Sequence, residues 1–152
     1  MLTEFTSTEI DLPQLLIKIE NGSESLERLD SGAIYYVYYF NPDDCTSCTL
    51  NHLFEYERIY EIARQTGDSF YPLFIFSPWE DEITDIIRAI KEMDINHPIY
   101  VDVSGELHNI PILSEEICHK FLLLDKHPAI VGDPITNKHI ERLLLEYLPE
   151  VL

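Results

Sequence analysis

Residues 33–40 read AIYYVYYF, the densest apolar run in the chain. Eight apolar or aromatic positions without polar alternation predict a strand covered on both faces, because a strand with one wet face would alternate. The expected role of its tyrosines is core packing, with the hydroxyls reaching toward the ends of the sheet. After the loop Asn41-Pro42-Asp43-Asp44 the period changes. Leu50, Leu53, Tyr56, Tyr60 and Ala63 fall three and four apart, which predicts a helix over about 45–65, ended by Thr66-Gly67-Asp68.

Residues 69–76 read as a second strand. A helix from Ser77-Pro78-Trp79 to about Met93 follows, with Ile83, Ile86, Ile87, Ile90 and Met93 as its core stripe. Trp79 reads as a hydrophobic staple at its start. Residues 98–103 make a third strand, 104–113 a loop or short helix, and 114–117 a single turn. Residues 121–125, FLLLD, are a fourth strand. The pattern resumes at Ala129-Ile130-Val131 after a tight turn at Lys126-His127, so the last two strands form an antiparallel hairpin. Gly132-Asp133-Pro134 breaks it, and Thr136 or Asn137 caps a final helix with the stripe Ile140, Leu143, Leu144 and Tyr147.

The start of the chain is patterned differently. An edge strand is expected around 14–19. Asn21-Gly22-Ser23 signals a turn, and Ser23 or Ser25 caps a short helix over 24–30 that Ser31-Gly32 stops. About 30 residues cannot bury a core of their own. Residues 1–32 are therefore expected to be an extension packed on a main domain over 33–152. Strands separated by helices and closed by a hairpin predict an α/β fold, a mixed central sheet flanked by helices in three layers.

Composition narrows the function. The 152 residues carry 28 acidic and 10 basic side chains, a formal charge of −18. Phosphate backbones and anionic membrane surfaces are repelled by such a chain, so no nucleic-acid partner is expected. With 45% hydrophobic residues the charge does not imply disorder. No run approaches the roughly 20 apolar residues of a membrane span. The first residues show no basic region followed by an apolar stretch, so the sequence as written reads as cytoplasmic, and as a cell-envelope protein if a leader was trimmed. Three cysteines are too few for a disulfide scaffold. A Ser-His-Asp order, a phosphate loop and a dinucleotide turn are all missing.

One spacing carries chemistry. Cys45-Thr46-Ser47-Cys48 follows the predicted buried strand and opens the predicted helix. A helix start has unsatisfied N–H groups and a partial positive charge, both of which favour a thiolate, the reactive form of cysteine. Cys45 is then the exposed attacker and Cys48 the resolving thiol. Asp43 and Asp44 oppose this, since nearby negative charge raises a thiol pKa. Cys118 by itself reads as a small buried hydrophobe, and His52 as a surface residue.

With this motif after AIYYVYYF, with FLLLDK and with the C-terminal helix, residues 33–148 resemble the thioredoxin-like superfamily. The stretch PIYVDVSGELHNI adds to the resemblance, which points to envelope-associated, peroxiredoxin-like and cytochrome-maturation branches. It implies a thioredoxin-like sandwich and thiol–disulfide exchange with protein or small-molecule thiols and disulfides, without a cofactor. Three positions depart from the family pattern. Asp44 precedes the first cysteine where the family usually has Trp. Tyr39, six residues before Cys45, stands where the family often has a buried acid. Cys118-His119-Lys120 stands where the family has a cis-proline. These departures keep two alternatives open. One is a non-catalytic interaction module of the same fold. The other is a metal-binding variant using Cys45, Cys48, Cys118 and His119, a Cys₃His set of the kind that zinc accepts.

Overall fold

The computed structural model describes residues 8–29, 32–41, 50–66, 69–93, 95–115, 119–130 and Arg142. Among them, seven strands form one sheet: β1 (Leu15–Glu20), β2 (Ser23–Arg28), β3 (Ile34–Phe40), β4 (Phe70–Phe76), β5 (Ile99–Val101), β6 (Lys120–Leu124) and β7 (His127–Ile130). Their order across the sheet is β2-β1-β5-β4-β3-β6-β7. β3, β4 and β5 run parallel, whereas β1 joins β5, β2 joins β1, β6 joins β3 and β7 joins β6 antiparallel. The sheet is mixed, as the element order predicts.

The run AIYYVYYF occupies the middle of this sheet because both its faces are covered. Tyr36, Phe40 and Phe74 pack with Ile59 and Ile62 of α1 (Glu57–Thr66) and Ile90 of α2 (Ile83–Glu92). On the other face Tyr35, Val37, Tyr39 and Ile75 pack with Ile10, Leu107 and Leu113. The second layer is built from the segment before β1 and two 3₁₀ turns, Glu106–Asn109 and Pro111–Ser114. Burial of the tyrosine-rich strand follows the expected core role, with Tyr35, Tyr36 and Tyr39 all buried.

Several elements differ from the sequence reading. The helix expected over 24–30 is strand β2 instead. Asn21 and Gly22 have φ of 53° and 79°, the conformation of a two-residue hairpin turn, so the chain folds back on β1 with Glu20 facing Ser23. The expected edge strand near 14–19 is present as β1, but it lies one strand in from the edge. The single helix expected over 45–65 is broken. A 3₁₀ turn at Leu53–Tyr56 precedes α1, and residues 42–49 lie outside the described residues. The helix expected from Ser77 starts later, at Ile83, after a 3₁₀ turn at Glu80–Glu82. Trp79 is extended (φ −62°, ψ 150°) and follows Pro78, which lacks the amide proton a helix interior uses. Of the expected stripe on α2 only Ile90 is fully buried; Ile83, Ile86, Ile87 and Met93 are half-buried. The closing hairpin turns at Asp125-Lys126 (φ 47° and 69°), and His127 is already in β7. The final helix lies outside the described residues, apart from Arg142. No helix among the described residues is long and apolar enough to cross a membrane.

Candidate functional site

Parallel strands end on one side of a sheet, and ligands of α/β folds gather there. On this side β3, β4 and β5 end, and antiparallel β6 begins. The ladder continues past the strands: the Ser77 amide donates to the Phe40 carbonyl at 3.1 Å, and the Asp102 amide to the Phe76 carbonyl at 2.8 Å. The chain leaves β3 through Asn41, and the next described residue is Leu50. Cys45 and Cys48, with Asp43 and Asp44, lie between them, outside the described residues, as does Cys118.

Beside this exit the ends of β4 and β5 are tied together by a buried carboxylate. Asp102 is fully enclosed. Its Oδ2 accepts from the Ser77 hydroxyl at 3.2 Å and the Leu107 amide at 3.1 Å. Its Oδ1 accepts from the Ser104 amide at 3.1 Å and the Ser104 hydroxyl at 2.5 Å. A carboxylate removed from water needs such donors, because burial without them costs on the order of several kcal/mol. The four bonds shape the turn 103–107, in which Gly105 takes φ 75°, a conformation costly for other residues. His108 closes the arrangement. Its Nε2 lies 2.6 Å from the Ser77 carbonyl oxygen, and since a carbonyl only accepts, Nε2 carries the hydrogen. The His108 ring lies 5.2 Å from that of Trp79. Trp79 is thus a half-exposed residue at the strand ends rather than a buried staple.

On the other side of the exit stands His119, just before β6. It is buried, and its ring meets Tyr39 edge-on. Its Nε2 donates to the Leu113 carbonyl at 2.9 Å, so Nδ1 is the ring nitrogen left for another partner. Two of the departures from the resemblance, Tyr39 and His119, thus form one packed pair. Their side chains lie on the face away from α1, since Tyr39 belongs to the layer of Leu107 and Leu113. Lys120 points to the α1 side, with its ammonium 4.8 Å from the Tyr38 ring and 6.0 Å from that of Tyr56. Burial pushes the Tyr56 phenol up to about 12. Tyr38 adds to that rise, and Lys120 counters it.

Of the four residues of the metal alternative, only His119 is among the described residues. The described residues contain no cluster of three or more His, Cys, Asp or Glu able to hold a metal. Asp102, Ser77 and His108 were not singled out by the sequence reading. The signal for Asp102 was the turn-forming string Asp102-Val103-Ser104-Gly105 directly after a strand.

Neither a family model nor a curated protein matches the chain. Solved structures do. The chain is similar to the pneumococcal exposed lipoprotein thioredoxin Etrx1 from Streptococcus pneumoniae, with 20% identity over 86% of this chain and 98% of that one, at a TM-score of 0.55. It is also similar to a thioredoxin-like protein from Porphyromonas gingivalis (14% identity, 92% and 90% covered, TM-score 0.48) and to StoA from Bacillus subtilis (18%, 86% and 98%, 0.44). The first of these carries the assignment: the fold is thioredoxin-like.

Proposed function

We propose that this chain performs thiol–disulfide exchange through Cys45 and Cys48. The observation that carries the reading is the position in the sequence of the Cys45-Thr46-Ser47-Cys48 motif, between the end of β3 and the helical residues Leu50 and Asn51, in a thioredoxin-like fold. The pneumococcal protein of similar fold is a thioredoxin. In the proposed reaction the Cys45 thiolate attacks one sulfur of a partner disulfide. A Cys45–partner disulfide forms, and the partner's other sulfur leaves as a thiolate and takes up a proton. The Cys48 thiolate then attacks Cys45 sulfur. The Cys45–Cys48 disulfide forms, the partner leaves as a dithiol, and two electrons have moved from this chain to the partner. Run in reverse, the same steps oxidise a partner dithiol.

The packed Tyr39–His119 pair favours a second reading, a non-catalytic interaction module of the same fold. Both residues replace groups that the resemblance associates with exchange chemistry. Reduction of insulin disulfides by the wild type and by Cys45→Ser separates the two. The exchange reading expects turnover by the wild type that is lost in Cys45→Ser. Equal inactivity of both proteins, with a thiol pair that no redox buffer can cycle, selects the module.

A further inference from the structure

A cavity of about 840 Å³ lies against the apolar layer on the face of the sheet away from α1. Leu16, Tyr35 and Leu123 line it from the sheet, and Ile10, Leu12 and Pro13 from the segment before β1. That volume lies in the range of functional ligand sites. The segment 10–14 is a strap that reaches from the β6–β7 turn to β1, and backbone bonds pin it at both ends. The Ile10 amide donates to the Lys126 carbonyl at 2.7 Å, and the Leu29 amide donates to the Gln14 carbonyl at 3.3 Å. Between the pins, the ring of Pro13 fixes its own φ and stiffens the strap. These anchors make the cavity a preformed feature of the fold.

The lining is apolar at both its buried and its open parts. Ile10, Leu16, Ala33, Tyr35 and Leu123 are buried. Leu15, Leu26 and Val103 also line the cavity and are 46%, 70% and 42% exposed; they are three of the five large apolar side chains exposed among the described residues. Such side chains gathered at one cavity mark a binding site more than scattered single residues do. The buried side chains offer hydrocarbon and one phenol, and the backbones of Tyr35 and Leu123 are already paired in the sheet. A polypeptide occupant brings an N–H and a C=O with every residue, and these lose water without gaining partners there. A hydrocarbon occupant carries no such cost.

The charged residues of the lining select neither sign. Lys126 is held by Asp11 at 3.0 Å, and Arg28 stands on a wall that also carries Glu106 and Asp125. All five are exposed, so no charged group lines the buried part, and a charged end of a ligand cannot be taken there without a large desolvation cost. The chain's charge of −18 further disfavours an anionic amphiphile. We propose that this cavity binds a small uncharged lipid-like molecule, with its hydrocarbon body against Leu16, Tyr35 and Leu123 and any hydroxyl end at the exposed polar residues. This binding is independent of the cysteines and adds a second activity to the chain.

The test uses the full chain. The uncharged fluorophore N-phenylnaphthylamine is titrated against the wild type and then displaced with decanol or decanoate. Two variants locate the site. Ala33→Phe/Leu29→Trp places two large rings on the cavity wall. Leu15→Ser/Leu26→Ser/Val103→Thr changes only exposed positions, so folding is retained there even if the first variant fails to fold. We expect saturable binding that is insensitive to salt, displacement by decanol at least tenfold more effective than by decanoate, and a melting temperature that rises with decanol concentration. Affinity should fall at least tenfold in the filled variant and several-fold in the Ser/Thr variant. No saturable binding of fluorophore or decanol to the wild type would overturn the site, as would unchanged affinity in the Ser/Thr variant. Decanoate displacing as well as decanol, or better, would overturn the ligand class.

Discussion

The imidazole of His119 meets the Tyr39 ring edge-on, with 5.2 Å between centroids and 88° between planes, while its Nε2 donates to the Leu113 carbonyl. His119 therefore joins three elements: β3, the start of β6 and the 3₁₀ turn Pro111–Ser114. His119→Phe keeps the ring contact but leaves the buried Leu113 carbonyl without this donor. His119→Ala loses both. The expected destabilisation is about 1–2 kcal/mol for Phe and about 2–4 kcal/mol for Ala, read from urea unfolding midpoints. Equal, negligible losses would show that the pair does not anchor this loop.

Asp102 is the buried polar centre of the strand ends. Asp102→Ala leaves the Ser77 and Ser104 hydroxyls and the Ser104 and Leu107 amides without their acceptor. The expected cost is about 3 kcal/mol, with Asp102→Asn losing less because one acceptor oxygen remains. Hydrogen exchange of the Ser104 and Leu107 amides should quicken in Asp102→Ala before exchange in β3 does. Unchanged protection at these two amides would contradict the bonding described.

The Tyr60 hydroxyl is buried without a hydrogen-bond partner among the described residues, and its ring stacks on His97 at 3.8 Å. Tyr60→Phe keeps the stack and removes the unpaired hydroxyl, so stability at pH 7 should be unchanged or higher by about 1 kcal/mol. Burial raises the phenol pKa of Tyr60, Tyr100 and Tyr56, the last to about 12. Because the folded values exceed the ordinary 10.0, their contribution is complete below pH 10 and is lost as pH rises through the folded values. Unfolding free energy should fall between pH 10 and about 12, and less steeply in Tyr60→Phe. A flat profile over that range would contradict the burial of these phenols.

The charge of −18 gives opposite salt effects for two partners. Exchange with glutathione, an anionic thiol, should quicken with added salt as repulsion is screened. Exchange with a basic peptide disulfide should slow. Stopped-flow rates between low and physiological ionic strength test both signs, and a shared direction would contradict the electrostatic account.

The central strands were legible because their sequences admit few other structures. AIYYVYYF and FYPLFIF are too apolar for anything but the middle of a sheet, and FLLLD followed by a turn and a second apolar run specifies a hairpin. β2 was not legible in this way. Its sequence, SESLER, has one apolar residue and no buried face, so a serine cap and acidic residues look like a helix start. The decisive signal was Asn21-Gly22, a two-residue hairpin turn that brings the chain straight back onto β1 and so favours strand pairing over a helix. The start of α2 was displaced for a local reason, the extended backbone of Trp79 after Pro78. At the candidate site, the motif of Cys45 and Cys48 was visible as spacing. Asp102 was hidden because its role comes from donors at Ser77, Ser104 and Leu107, and the Ser77 hydroxyl reaches it only through the β4–β5 pairing.

Differential alkylation tests the central proposal most directly. The protein is equilibrated across a series of dithiothreitol redox buffers, quenched, alkylated with iodoacetamide under denaturing conditions and weighed by mass spectrometry. The chain has three cysteines. The exchange account predicts three adducts at reducing poise and one, on Cys118, at oxidising poise, in a single two-electron transition. Cys118→Ser should retain the transition, and Cys45→Ser and Cys48→Ser should each abolish it. Three adducts on the wild type at every poise would contradict the account.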